Sequence, residues 1–295
     1  MLKIGLVGVD NGHAVVYSKM LNGVHGTDKL GVPAALTCYW AAEDGRWPEL
    51  ETKHIPDIEA LGVKRVISRE EMIGQVDGVI VVGDYNDVNL ERARPFIEAK
   101  IPTFADKILC NELEPAKELV SLAQRCGTPI ISHSALRYVP EVLEIKQRKG
   151  EIGKALSGVW IGPGDLMNYG MHTVDPALAV FGPGVEWCYN FQDEDKDMAV
   201  LTYPDGRAVS LHLRRFGSAE PRWRFSYFAE NESGQADISL NDLYANSVRE
   251  VLRFFAGQRQ APPGSEMLET VAIITAMRVS GKTGQRVNLP DLLKL

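Results

Sequence analysis

The sequence predicts an α/β protein of two domains: a doubly wound parallel sheet, followed by an α+β domain with a large, mostly antiparallel sheet. Three observations carry this expectation. The first half alternates short apolar, β-branched runs with helical stretches, the rhythm of a parallel sheet covered by helices. After about residue 133 strand-like segments follow one another, and two of them are joined by the turn dipeptide Asp205-Gly206. Finally, 295 residues are too many for one typical domain and suit two, here 1–132 and 133–295.

Residues 3–9 (KIGLVGV) read as a buried parallel strand that ends in a glycine turn. A helix is expected over about 14–21, then strands at 34–40, 77–82, 101–104 and 129–132, with helices 89–99 and 114–126 between the later ones. Gly127 supplies the left-handed residue that stops the second of these helices. Segment 140–149 reads as a helix, and 155–161, 186–193, 197–203, 208–216 and 222–228 as strands. Helices over 242–255 and 265–279 close the chain.

Composition excludes several classes of function. The formal net charge is −7, so no basic excess exists to neutralise a phosphate backbone, and nucleic acid is not an expected partner. Cys38, Cys110, Cys126 and Cys188 are scattered without metal-ligand spacing and read as buried reduced thiols. His13, His25, His54, His133 and His212 form no metal-like cluster, and no metal is expected. The opening apolar run is too short for a membrane span and lacks a signal-peptide cleavage pattern, so neither membrane nor export is expected and the cytoplasm is. Ser280-Gly281-Lys282-Thr283 resembles the tail of a phosphate loop, but Ala276 stands where the earlier glycine belongs and a helix precedes it.

The first strand-to-helix turn reads Gly8-Val9-Asp10-Asn11-Gly12-His13. A dinucleotide-binding turn of the Rossmann type needs glycine at the bend, glycine where the backbone nears the diphosphate, and a helix N-terminus aimed at the phosphates. Gly8 fits the first need, while Asp10 stands at the second and would set a carboxylate against the diphosphate. Gly12 compensates from a shifted position, and Gly8, Val9, Asn11, Gly12 and His13 are the candidate cofactor contacts; a plain crossover turn is the alternative. The acid for the ribose hydroxyls belongs at the end of the second strand, and Glu43 follows it later than usual. NAD and NADP both remain open.

Three later segments carry a resemblance. Residues 78–107 read GVIVVGDYNDVNLERARPFIEAKIPTFADK, residues 134–153 SALRYVPEVLEIKQRKGEIG, and residues 168–182 NYGMHTVDPALAVFG. In this order and spacing, over nearly the whole chain, they resemble the glucose–fructose oxidoreductase, inositol dehydrogenase and rhizopine-catabolism (Gfo/Idh/MocA) family. The resemblance implies NAD or NADP as cofactor, with Asp84 and Asn86 of the polar loop and the Asp106-Lys107 pair beside it. That pair stands where the family usually has Glu-Lys-Pro, with Ile108 in place of the proline. It implies that Lys107 contacts the reacting hydroxyl, where its charge would favour a developing alkoxide. The family's Asp and His four residues apart become Asn168 and His172, one helical turn apart on one face. His172 suits general acid/base work, whereas Asn168 cannot take a proton and is left to orient substrate or imidazole. Arg137 and Tyr169 are candidate substrate contacts beside Lys107 and His172. Asp175-Pro176 reads as a helix N-cap and first-turn pair, with a kink or restart expected there.

Arg214, Arg215, Arg222 and Arg224 interleave with Phe216, Trp223 and Phe225. Such alternation on strands means one wet and one packed face. The resemblance implies a homo-oligomer through the C-terminal sheet, in which these aromatics would be buried. The function so implied is hydride transfer to or from a secondary alcohol of a sugar, cyclitol or sugar acid. The alternative, favoured by Asp10 and Asn168, is a non-catalytic ligand-binding or regulatory protein on the same fold.

Overall fold

Apolar runs bounded by turns pair in register in a computed structural model that describes residues 1–23, 30–42, 48–83, 88–215 and 222–294, the side chain of Glu51 apart. Strands β1 (Leu2–Val7), β2 (Ala34–Trp40), β3 (Lys64–Arg65), β4 (Gly78–Val81), β5 (Thr103–Asp106) and β6 (Ile130–His133) form a parallel sheet of order β3-β2-β1-β4-β5-β6. Helices α1 (His13–Asn22), α2 (Pro48–Glu59), α3 (Asn89–Glu98) and α4 (Leu113–Cys126) connect its strands. Ile4, Leu6, Ile80 and Phe104 are fully buried, because such strands face helices on both sides. Strand order reverses beside β1, so the crevice at the carboxyl ends of β1 and β4 is where this fold receives ligands.

The chain divides after His133. The second unit opens with α5 (Pro140–Gln147) and α6 (Lys149–Ile152), followed by β7 (Ala155–Pro163) and α7 (Leu166–Phe181). Strands β8 (Trp187–Gln192), β9 (Lys196–Thr202), β10 (Ala208–Arg214), β11 (Arg224–Ala229) and β12 (Ser233–Asp237) follow. The Asp205-Gly206 turn joins β9 to β10 as an antiparallel hairpin, with Gly206 at φ 85°. The chain then re-enters the first unit: Tyr244–Gly264 belongs with Met1–His133, whereas a single boundary placed it in the second. The cause is α8 (Ala245–Phe255), whose Val248, Val251, Leu252 and Phe255 join the core of Ile4, Leu6 and Ile80. Helix α9 (Gly264–Thr283), β13 (Val287–Asn288) and α10 (Leu289–Leu293) end the described chain. The seven-stranded sheet runs β12-β11-β7-β10-β9-β8-β13, with only β7 and β10 parallel.

Two expectations need correction here. Trp223 and Phe225 are buried inside this one chain, Phe225 stacking on Trp160 at 4.9 Å between ring centroids, so no oligomer is required to cover them; Phe216 lies outside the described residues. Alternation along β11 accounts for it, because Phe225 and Tyr227 face the core and Arg224 and Phe228 face outward. Second, α7 runs unbroken through Pro176, and Asp165 is its N-cap, accepting from the N–H groups of Met167 and Asn168 at 3.0 Å each. Asp175 therefore sits inside the helix.

Candidate functional site

The turn after β1 explains why it begins with glycine. Gly8 has φ +94°, and a Cβ there would lie 2.1 Å from the Val82 carbonyl oxygen and 2.4 Å from Arg92 Nη1. Asp10 does not face outward as a naked carboxylate. Arg92 donates to both its oxygens, at 2.7 and 3.0 Å, and also to the Val82 carbonyl at 2.5 Å. Both partners are buried, so the acid at the second glycine position is neutralised by a guanidinium of α3. The carboxylate expected to face a diphosphate is thus paired with a cation.

Asn11 donates from Nδ2 to the Gly83 carbonyl at 3.0 Å and accepts from His13 N–H at 2.8 Å, which ties the turn to the end of β4 and the start of α1. The carbonyl of buried Val9 accepts from His54 Nδ1 at 2.8 Å. Gly12, the N-cap of α1, faces open space. Among the described residues the N–H groups of Asn11 and Gly12 donate to nothing, so two backbone donors stand at a helix N-terminus. Gly8, Asn11 and Gly12 therefore fit a diphosphate. Glu43, Asp84 and Asn86 lie outside the described residues.

At the end of β5 the acid and lysine take different environments. Asp106 is buried; Tyr17 donates to one carboxylate oxygen at 2.5 Å and His13 Nδ1 to the other at 2.7 Å. His13 Nε2 lies 2.9 Å from the Tyr244 hydroxyl. Burial works to raise the Asp106 carboxyl, but the charge and hydrogen bond of His13, the charge of Lys107 and the Tyr17 hydroxyl outweigh it and hold it below the ordinary aspartate range. Burial, then the Asp106 charge, push the Tyr17 hydroxyl well above its usual value. Lys107 follows with φ +69°, an uncommon conformation for a residue with a side chain. It stands half-buried at the carboxyl end of a parallel strand, the edge that bounds the ligand crevice.

The second unit holds the other candidates, all near α7. Asn168 donates from Nδ2 to Asp165 Oδ2 at 3.0 Å, so its amide is held by the acid that caps its own helix. His172 Nδ1 lies 2.7 Å from Ser134 Oγ, which fixes the orientation of the ring. Ser134 is pinned in turn, its N–H donating to Asp175 Oδ2 at 2.8 Å. Arg137 donates to Asp175 Oδ1 at 2.7 Å and to the Asp175 carbonyl at 3.2 Å. The guanidinium proposed for substrate thus neutralises a buried acid. Tyr169 stacks on Trp223 at 6.5 Å, and His172 meets Trp223 edge-on at 6.0 Å. Ser134, Asp165 and Trp223 were not among the expected site residues. An aspartate three residues before Asn168, at the head of an apolar helix, was the readable signal for the cap.

Among the described residues no group of three or more His, Cys, Asp or Glu side chains is placed to hold a metal ion. No helix there is long and apolar enough to cross a membrane.

No protein-family model and no curated protein sequence matches the chain. Solved structures do match over its whole length. The chain is similar to a "probable dehydrogenase" from Thermotoga maritima, with TM-score 0.80, 17% identity and coverage of 99% of this chain and 100% of that one. It is similar to scyllo-inositol dehydrogenase from Lactobacillus casei with bound NAD(H) and scyllo-inositol, with TM-score 0.78, 12% identity and coverage of 98% and 99%. It is also similar to myo-inositol 2-dehydrogenase from Lactobacillus plantarum, with TM-score 0.75, 14% identity and coverage of 97% and 99%. The chain therefore has the fold of these dehydrogenases, the fold its sequence resemblance implied.

Proposed function

We propose that this chain is an NAD(P)-dependent oxidoreductase of the Gfo/Idh/MocA type, acting on a secondary alcohol of a cyclitol, sugar or sugar acid. The observation that carries the reading is the end-to-end likeness to dehydrogenases, one of them holding NAD(H) and scyllo-inositol, in a chain whose Gly8–Gly12 turn still offers two backbone donors. A further neighbour, an oxidoreductase from Agrobacterium radiobacter, holds NAD+ and L-tartaric acid, which keeps sugar acids in the substrate class and favours NAD.

Gly8, Asn11 and Gly12 hold the diphosphate, with Val9 supporting the turn. Glu43, Asp84 and Asn86 complete the cofactor contacts. The bound nicotinamide supplies the hydride acceptor or donor. Lys107 stabilises negative charge on the reacting oxygen, and His172 takes the hydroxyl proton. Asn168 donates to substrate or orients it, and Tyr169 borders it. Arg137 acts through Asp175 and Ser134, keeping the hydroxyl that holds His172 in place.

The protein assembles with copies of itself through the outer face of its seven-stranded sheet. Phe191, Met198, His212, Ile161 and Arg224 form one row across five strands there, and Phe191 and Phe228 stay more than half exposed. The site reading is tested by a turnover screen of polyols, cyclitols and sugar acids with NAD and NADP. Reduction of cofactor with at least one member supports it, and ligand binding without turnover across the panel points to the non-catalytic reading.

A further inference from the structure

We propose that His13 is a positioning residue for Lys107, acting through Asp106, and that it occupies the third glycine position of the dinucleotide turn for this purpose. The inference rests on the reading of Lys107 as the group that meets the reacting oxygen. The G-x-G-x-x-G pattern places its glycines at residues 8, 10 and 13 here, and the third ordinarily serves close packing of helix on strand. In this chain that position carries an imidazole whose two nitrogens both lie at hydrogen-bond distance from protein groups, Asp106 on one side and Tyr244 on the other. A carboxylate only accepts, so Nδ1 carries the proton toward Asp106.

The need for such a tie is written in the backbone. A left-handed conformation is unfavourable for a non-glycine residue, and it persists where the surroundings over-determine it. Lys100 shares the conformation at φ 61°, but it follows α3, where a left-handed residue is an ordinary helix ending, and it is exposed. Lys107 has no helix end to account for it. Its turn is closed instead by Ile108 N–H donating to the Asp106 carbonyl at 2.9 Å and by Asn89 Nδ2 donating to the Ile108 carbonyl at 3.0 Å. A further anchor is the Asp106 side chain, held at one oxygen by Tyr17 and at the other by His13. With glycine at position 13 the second oxygen of a buried carboxylate would lose its donor, and the link from β5 to Tyr244 would disappear.

The test compares wild type with His13→Gly, His13→Asn and Tyr17→Phe in the full chain. NADH affinity is read by nicotinamide fluorescence, kcat and KM with the best polyol of the screen, and amide exchange over residues 103–112. His13→Gly is expected to lower kcat by about tenfold or more, as small misplacements of a reacting group do, with KM and NADH Kd changed less than about twofold. His13→Asn, whose amide can donate to Asp106, recovers most of that loss. Exchange around Lys107 speeds up in His13→Gly while the Lys100 turn stays as it was. Should His13→Gly not fold, Tyr17→Phe removes a single bond to the same carboxylate and shows the same split at smaller size. Unchanged kcat and exchange in the glycine variant overturn the proposal, as does weakened NADH binding with normal kcat at saturation, which would return His13 to the cofactor. If wild type binds no nicotinamide and turns over no polyol, the functional reading fails, and exchange at Lys107 still decides whether His13 holds that turn.

Discussion

The two units treat their candidate reactive groups in opposite ways. In the first, Lys107 follows an ionised aspartate that two side chains of α1 hold in place. In the second, His172 leans on the neutral hydroxyl of Ser134, although two carboxylates lie within one helical turn or two. Those acids are engaged elsewhere: Asp165 caps α7 and holds Asn168, and Asp175 is matched by Arg137. The difference teaches that an acid near a reactive group is not thereby its partner. The hydrogen bonds decide which group orients a side chain, while charge acts beyond them, as that of Lys107 does on Asp106.

The comparison breaks most sharply at Lys107. Lys107→Ala should cost about a thousandfold in kcat/KM while NADH binding stays within about threefold, since a charge aimed at a developing alkoxide acts mainly in the transition state. Normal turnover by this variant would remove the lysine from the chemistry. His172→Ala should cost about a hundredfold, the scale of one general base, and kinetics across pH would lose one limb. Retention of both limbs would assign that proton to another group.

Ser134→Ala sharpens the contrast between the units. It should lower kcat by about tenfold or less, because a neutral hydroxyl orients the imidazole but stabilises its cation less than a carboxylate would. A loss as large as that of His172→Ala would show that the hydroxyl does more than orient. The smallest effect is on stability. Asp106 has a folded pKa below its unfolded value of about 3.9, so it contributes stability that is present above that pH and lost as pH falls through the folded value. Asp106→Asn should therefore cost about 1–3 kcal/mol at neutral pH, and thermal melts of the two proteins should converge in acid. A gap that persists unchanged once acid has protonated the folded-state carboxyl would mean that packing, not charge, accounts for the loss.

Much of the fold was legible because its signals are local. The apolar run of β1, the strand of β2 and the Asp205-Gly206 hairpin each declare themselves within a few residues. Helix α2 was not read, with Pro56 inside it and a mixed apolar pattern, and neither was the polar strand β12. The return of Tyr244–Gly264 to the first unit could not be read, since the stripe of α8 fits either core equally well. At the site, residue types were visible and pairings were not. Nothing in the sequence around Asp10 names Arg92, eighty-two positions away, and nothing around Asp106 names His13. Asp175-Pro176 misled for a physical reason: a helix already started by Asp165 carried the proline through, and the acid found an arginine.

The central claim is that the Gly8–Gly12 turn, with Asp10 neutralised by Arg92, accepts a nicotinamide dinucleotide. The direct measurement is a fluorescence titration of the purified, folded protein with NADH and with NADPH. Saturable binding of at least one is expected, with NADH the stronger. Absence of saturable binding by either would contradict it and leave a dehydrogenase fold without its cofactor.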